Sequence, residues 1–309
     1  MKEKQLHSIS LKFLSVIFLT ALFLIVSCED LVTNIDFPDS EPKIVVHSFI
    51  SPADTAVMVL LTWSNPISSN ESYWMPEIIE DAEVQITETG GATASLDYIA
   101  DRSFYSVSTE EFPIRAGEKY ALSVKLPDGR SVDAECFVPY KNESLELIDT
   151  NTVYLNEWET NFRVEYTFVD PGINRNYYYS GVYKDTKYFD YENYEWRSTV
   201  EKFWIIYGES YIYADGEEEK EYLIKAETYL YEDEYPENPP DDMPEDEEFI
   251  TIMLLTTDEH YYQYHKDLEY YYPDDMFSES THIYSNINGG LGIFAGYNKY
   301  EIKFLMEQN

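Results

Sequence analysis

A mainly β fold is predicted for this chain, and three features of its sequence predict it. From Lys43 onward apolar and polar residues alternate with period two. Turn signals such as Pro127-Asp128-Gly129 and Asp170-Pro171-Gly172 punctuate the alternating runs. Tyr, Phe and Trp make up 17% of the residues, so a core can form despite a formal net charge of −38. Acidity without aromatics would instead mark disorder. The expected architecture is an immunoglobulin-like or fibronectin-like sandwich over residues 43–140. A second, Tyr-rich β domain with one short helix is expected over 141–309.

The first segment stands outside that fold. Lys2, Lys4 and Lys12 precede the apolar run Phe13–Val26, fourteen residues broken only by Ser15 and Thr20, and Ile25-Val26-Ser27-Cys28 closes it. A basic start, a short apolar run and small residues before a cut make residues 1–27 a secretory signal. A membrane-spanning helix would need roughly twenty apolar residues. Cys28 at the cut resembles a bacterial lipobox, whose chemistry attaches a diacylglyceryl group to the sulfur before cleavage. Residues 28–42 are polar and acidic with Pro38 and Pro42, and read as an acylated tether.

The strands follow. Val84 and Ile86 alternate with Glu83, Gln85 and Thr87. The cleanest hairpin pairs Tyr120, Leu122, Val124 and Leu126 with Val132, Ala134, Cys136 and Val138 across Pro127-Asp128-Gly129-Arg130. Cys136 thereby falls on the inward face, as a small buried hydrophobe. Pro139–Ser144 marks the expected boundary. Beyond it, Phe162, Val164, Tyr166 and Phe168 alternate up to Asp170. Further strands are expected at Tyr177–Tyr183, Glu201–Tyr207, Tyr222–Thr228 and Phe249–Thr256, and the last at Tyr300, Ile302, Phe304 and Met306. Thr256 and Glu259 form a capping box, and Tyr261, Tyr264, Leu268 and Tyr271 repeat at helical spacing until Pro273. Tyr231–Glu248, with four prolines among ten acidic residues, is an extended loop. The glycines of Asn288–Gly296 precede a terminal strand with no βαβ unit around them, so they suit positive φ or close backbone approach rather than a nucleotide.

Charge narrows the partners. Removing residues 1–27 takes away three Lys and one Glu, which leaves a net charge of −40. Nucleic acid is excluded, because its phosphates need Lys and Arg to displace their counterions. Anionic lipid is disfavoured for the same reason, so membrane attachment falls to acyl chains, of which two or more hold a protein stably. With Cys28 acylated, Cys136 has no disulfide partner.

No motif amounts to an active site. The chain lacks a Gly-x-Ser-x-Gly elbow, a phosphate loop and a His-Glu-x-x-His helix, so it reads as a non-enzyme with no catalytic or cofactor-binding residues. His260 and His265 stand five apart, which separates them by about 140° on a helix and suits no shared metal. Asp241-Asp242, Glu245–Glu248, Glu217–Glu219 and Asp274-Asp275 supply hard oxygen ligands for weak calcium binding at most, and a solvated acidic face is the favoured account of them. Tyr177-Tyr178-Tyr179 and Tyr270-Tyr271-Tyr272 form the candidate recognition surface for a glycan or peptide. The competing reading is that tyrosine fills strands by β-propensity.

Three stretches carry a family resemblance: Cys28-Glu29-Asp30, Glu41-Pro42-Lys43-Ile44-Val45-Val46, and Ser285-Asn286-Ile287-Asn288-Gly289-Gly290-Leu291-Gly292-Ile293-Phe294. Together they resemble a Bacteroidota lipoprotein family, domain of unknown function 4249. The resemblance implies an outer-membrane lipoprotein, encoded beside TonB-dependent receptors and accessory to nutrient capture. The acids after Cys28 resemble the signal that sends such lipoproteins to the cell surface. The family carries no established catalytic residues. A free-standing glycan-binding or adhesion lipoprotein, calcium-dependent or not, is the alternative expectation.

Overall fold

The computed structural model of the chain describes residues 41–65, 76–156, 159–173, 175–190, 195–206, 210–214, 218–230, 247–269, 271 and 282–306. The signal segment, Cys28, all but the end of the tether and loop residues 231–246 lie outside them. The fold is mainly β. The first seven strands are β1 (Ile44–Ile50), β2 (Ala56–Trp63), β3 (Glu83–Glu88), β4 (Thr93–Ile99), β5 (Phe104–Ser108), β6 (Lys119–Lys125) and β7 (Ser131–Phe137). Then come β8 (Glu146–Tyr154), β9 (Thr160–Asp170), β10 (Tyr177–Asp190), β11 (Glu195–Lys202), β12 (Trp204–Ile205), β13 (Ile212–Ala214) and β14 (Lys220–Tyr229). The last elements are β15 (Glu247–Thr257), the helix α1 (Glu259–Glu269) and β16 (Leu291–Leu305).

Twelve strands form one sheet in the order β11-β10-β15-β16-β1-β2-β5-β4-β3-β6-β7, with β13 beside β10. A second sheet runs β12-β14-β9-β8. The β6–β7 hairpin has the register that its alternation demands, with Tyr120 opposite Cys136 and Val124 opposite Val132. Its eight inward residues are each at most 4% exposed. Gly129 turns the chain at φ +94°, a conformation that an L side chain resists.

Strands β1–β7 wrap a core that includes Val46, Leu61, Ile86, Tyr105, Leu122 and Val138 in a sandwich-like arrangement. Asp133 closes it by exchanging backbone hydrogen bonds with Asn288, just ahead of β16. A second core lies between the two sheets. Phe162, Val164, Tyr166 and Phe168 of β9 and Tyr222, Ile224 and Ala226 of β14 pack there on Tyr178, Val182, Ile250 and Ile252 of the large sheet. Large aromatic side chains bury much apolar area, and their hydroxyls need partners. The Tyr105 hydroxyl accepts from Ala82 N and donates to Ile79 O, and the Tyr166 hydroxyl meets Ser180 Oγ at 2.8 Å.

Two strands differ from expectation. Glu201–Tyr207 is not one strand but breaks at Phe203, between β11 and β12. Phe203 still donates its N–H to Val182 O, while its fully buried ring enters the second core. The chain then crosses to the other sheet, where Trp204 and Ile205 pair with β14. The terminal strand begins at Leu291, not near Tyr300, and so absorbs part of the Gly-rich run. Its first half pairs in parallel with β1, Val46 opposite Gly292 and Ile50 opposite Gly296. Its second half pairs antiparallel with β15. Close approach explains the glycines. A Cβ at Gly292 would stand 2.0 Å from Val46 O, and one at Gly296 would stand 2.2 Å from Phe137 O.

Candidate functional site

The helix α1 begins one residue after β15 ends, and the residues around that junction form the most developed site. The local sequence Thr256-Thr257-Asp258 offers three possible caps in a row. The expected capping box would use Thr256, but Thr256 lies inside β15, where its Oγ1 accepts from Asn142 N at 3.0 Å. Asp258 is the cap instead, its Oδ1 accepting the Tyr261 N–H at 2.8 Å. Its Oδ2 accepts two further backbone N–H groups, from Phe137 at 3.2 Å and Gly296 at 3.1 Å. One carboxylate thus ties α1 to the end of β7 and to β16. Burial, which penalises the charged form, raises its pKa to about 6 against the opposing pull of those donors.

Beside Asp258 opens a cleft of about 310 Å³, lined from four separate parts of the chain. Lys119 and Glu135 come from β6 and β7, Arg175 from the loop ahead of β10, Tyr177 from its first position, Thr257 from β15, and His260 from α1. Cys136 also borders it. Its thiol pKa is raised well above the ordinary range, first by burial and then by the Asp258 charge. In a Cys28→Ser chain we expect no reaction with a thiol-specific disulfide reagent until the protein is unfolded by denaturant. Reaction at the rate of a free thiol in native buffer would contradict that burial.

The clustered tyrosines separate by strand geometry, because successive side chains of β10 point to opposite faces. Tyr178 is 1% exposed, packs on Phe168 at 5.1 Å and donates its hydroxyl to Asp170. Tyr177 is buried on the α1 side, 4.9 Å from the Tyr262 ring. Tyr179 shares that side, half-buried among Tyr261, His265 and Tyr211. Lys202 Nζ donates to its hydroxyl at 2.7 Å and sits 3.4 Å above the Tyr211 ring. These three therefore pack the sheet and its helix rather than face solvent together. Tyr271 is 44% exposed, while Tyr270 and Tyr272 lie outside the described residues.

The histidines are dispersed. His47 Nε2 meets the Tyr264 hydroxyl at 3.1 Å, and His260 Nδ1 meets the Tyr284 hydroxyl at 2.7 Å. His265 donates Nδ1–H to Tyr261 O, and burial lowers its pKa as it does that of His47. Among the described residues, no group of three or more His, Cys, Asp or Glu is placed to hold a metal ion. Asp241, Asp242, Glu245, Glu217, Asp274 and Asp275 lie outside those residues, and Glu247 and Glu248 begin β15.

Sequence reasoning did not single out Asp258, Thr257, Arg175 or Lys119. A run of three possible caps before the helix was the available signal for Asp258. The others meet only because the start of β6, the approach to β10 and the end of β15 border one cleft. Among curated proteins, none matches the chain. The model of the family described as domain of unknown function (DUF4249) matches residues 32–303, nearly all of the chain beyond Cys28, so the chain belongs to that family.

Proposed function

We propose that the chain is a lipid-anchored protein of the Bacteroidota outer membrane, facing the cell exterior. There it serves as a non-enzymatic accessory or binding subunit of a TonB-dependent nutrient-uptake system. The observation that carries this reading is Cys28, set after a fourteen-residue apolar run and followed at once by Glu29 and Asp30. Acyl chains on that sulfur contribute roughly 0.8 kcal/mol per buried CH₂, enough for stable anchoring once two chains insert. The strongly acidic remainder is repelled by anionic headgroups and stands off from the bilayer. In this account Cys28 anchors, residues 29–42 tether, and the Tyr-rich part beyond residue 140 meets the partner or its cargo.

A crosslinked pull-down of the full lipoprotein in mild detergent, with a Cys28→Ala chain as control, tests it. Recovery of a TonB-dependent receptor, lost in the control, is the expected result. An anchored protein that brings down no outer-membrane receptor would overturn the accessory role. That outcome would leave a free-standing glycan-binding or adhesion lipoprotein as the working description.

A further inference from the structure

We infer that strand β8 is a homodimerisation edge, on which a second copy of this chain adds its own β8 in antiparallel. The backbone there is open. β8 ends the second sheet, and among the described residues its far side pairs with no strand or loop. An edge strand presents a row of unpaired N–H and C=O groups, which folds protect by shortness, charge or cover. The other three sheet ends have such protection. β12 is two residues long. β7 is closed at Asp133 by backbone hydrogen bonds with Asn288. β11 carries Glu195, Arg197, Glu201 and Lys202 within its eight residues. β8 has nine residues, of which only Glu146 and Asp149 are charged, both in its first half. Large apolar side chains stand exposed along it instead, with Ile148 at 54%, Tyr154 at 75% and the adjoining Leu155 at 52%.

The side chains select the partner, because β8 is complementary to itself. A two-fold axis between antiparallel strands keeps each face of the sheet on its own side, so one residue lies on the axis opposite its own copy. With Asn151 there, Thr150 meets Thr152, Asp149 meets Val153, Ile148 meets Tyr154 and Leu147 meets Leu155. Every pair occurs twice. No carboxylate faces another, and the exposed apolar residues cover one another. Thr–Thr and apolar cross-strand pairs stabilise a sheet, whereas like charges placed opposite destabilise it. The bulge between Leu147 and Asp149 bends the strand, so the regular ladder spans Asp149–Val153 and the apolar pairs flank it. Two copies of so acidic a chain repel at long range, but at physiological salt that repulsion is screened beyond about 8 Å. Rising salt therefore strengthens this contact, where it would weaken one held by ion pairs. The pairing does not depend on the transporter reading, which concerns a different partner.

Analytical ultracentrifugation of the full chain in mild detergent tests the assignment, with Cys28→Ser leaving the buried Cys136 as the sole native thiol. A monomer–dimer equilibrium is expected, shifting toward dimer as salt rises. Asn151→Asp is isosteric, at an exposed position, and sets two carboxylates opposite each other on the axis. It should weaken the dimer about tenfold and leave the melting temperature unchanged. Ser95→Asp adds the same charge at an exposed position of β4, away from the edge, and should leave the dimer as it was. Asn151→Cys should oxidise to a disulfide-linked dimer, since a residue on the axis lies within disulfide reach of its copy. Glu146→Cys, at the far end of the strand, should not. A chain that stays monomeric at every salt concentration, its β8 edge left to a strand of some other protein, would overturn the proposal. A dimer that Asn151→Asp leaves intact, or equal crosslinking at both positions, would do the same.

Discussion

Asp258→Ala should destabilise the fold by about 3 kcal/mol or more. Loss of a helix cap costs about 1–2 kcal/mol, and each buried N–H left without an acceptor costs about 1–3 more. Asp258 caps the helix through the Tyr261 N–H and serves two further such groups, on Phe137 and Gly296, so the change reaches three elements. Set against the roughly 5–15 kcal/mol that holds a typical domain, the loss is large. Urea unfolding of the two chains measures it, and a difference below about 1 kcal/mol would show that the carboxylate is not the clamp. Asp258→Asn, which keeps one carbonyl acceptor, should fall between them.

The same pair of chains reports on pH. The folded pKa of Asp258 is raised to about 6 from an ordinary 3.8, so the folded state holds the proton more tightly than the unfolded one. The proton-linked part of the group's contribution is therefore fully present below about pH 4 and is lost as pH rises through 6, while the three hydrogen bonds to the carboxylate remain. The stability difference between wild type and Asp258→Asn should shrink across that window and stay level above it. Cys136 and Tyr284, which also feel the Asp258 charge, are held by burial above their ordinary ranges and stay protonated across that window in both chains.

Gly292→Ala should prevent accumulation of folded protein altogether. Gly292 stands at φ +102°, and its Cβ would sit 2.0 Å from the Val46 carbonyl oxygen. The left-handed backbone alone costs an L residue about 1–2 kcal/mol. The steric conflict is worse, because the obstructing atom is backbone in the neighbouring strand β1 and cannot rotate away. Relief would require β1 and β16 to separate, which opens the large sheet near its middle. Gly129→Ala separates the two effects. It has a similar φ of +94° but nothing within 4 Å of its Cβ, so a loss of only about 1–2 kcal/mol is expected. Similar soluble yields and urea midpoints for the two variants would mean that β1 and β16 are not so closely apposed.

These residues also mark how far local pattern reaches. The β6–β7 hairpin, the inward thiol of Cys136, strand β9 and the position of the helix were all legible, because alternation, turn residues and helical spacing are properties of neighbouring residues. Locating the helix cap needed one more fact. Thr256 satisfies the capping pattern, but its strand pairing with Tyr178 and Asn298 keeps it in β15 and passes the cap to Asp258. The tyrosines show a similar limit. Composition and clustering could equally mean a recognition surface or a core. The packing partners place Tyr177 and Tyr178 in the interior.

What is wholly non-local had no trace in the residues. Parallel pairing of β1 with β16 joins segments some 250 positions apart. The break at Phe203 exists because one ring is buried between two sheets. The cleft exists because four distant segments border one corner. Backbone period and turn chemistry act over a few residues and can be read in order along the chain. Which strands become neighbours is set by the burial of whole faces, and that is decided only when distant segments compete for the same core.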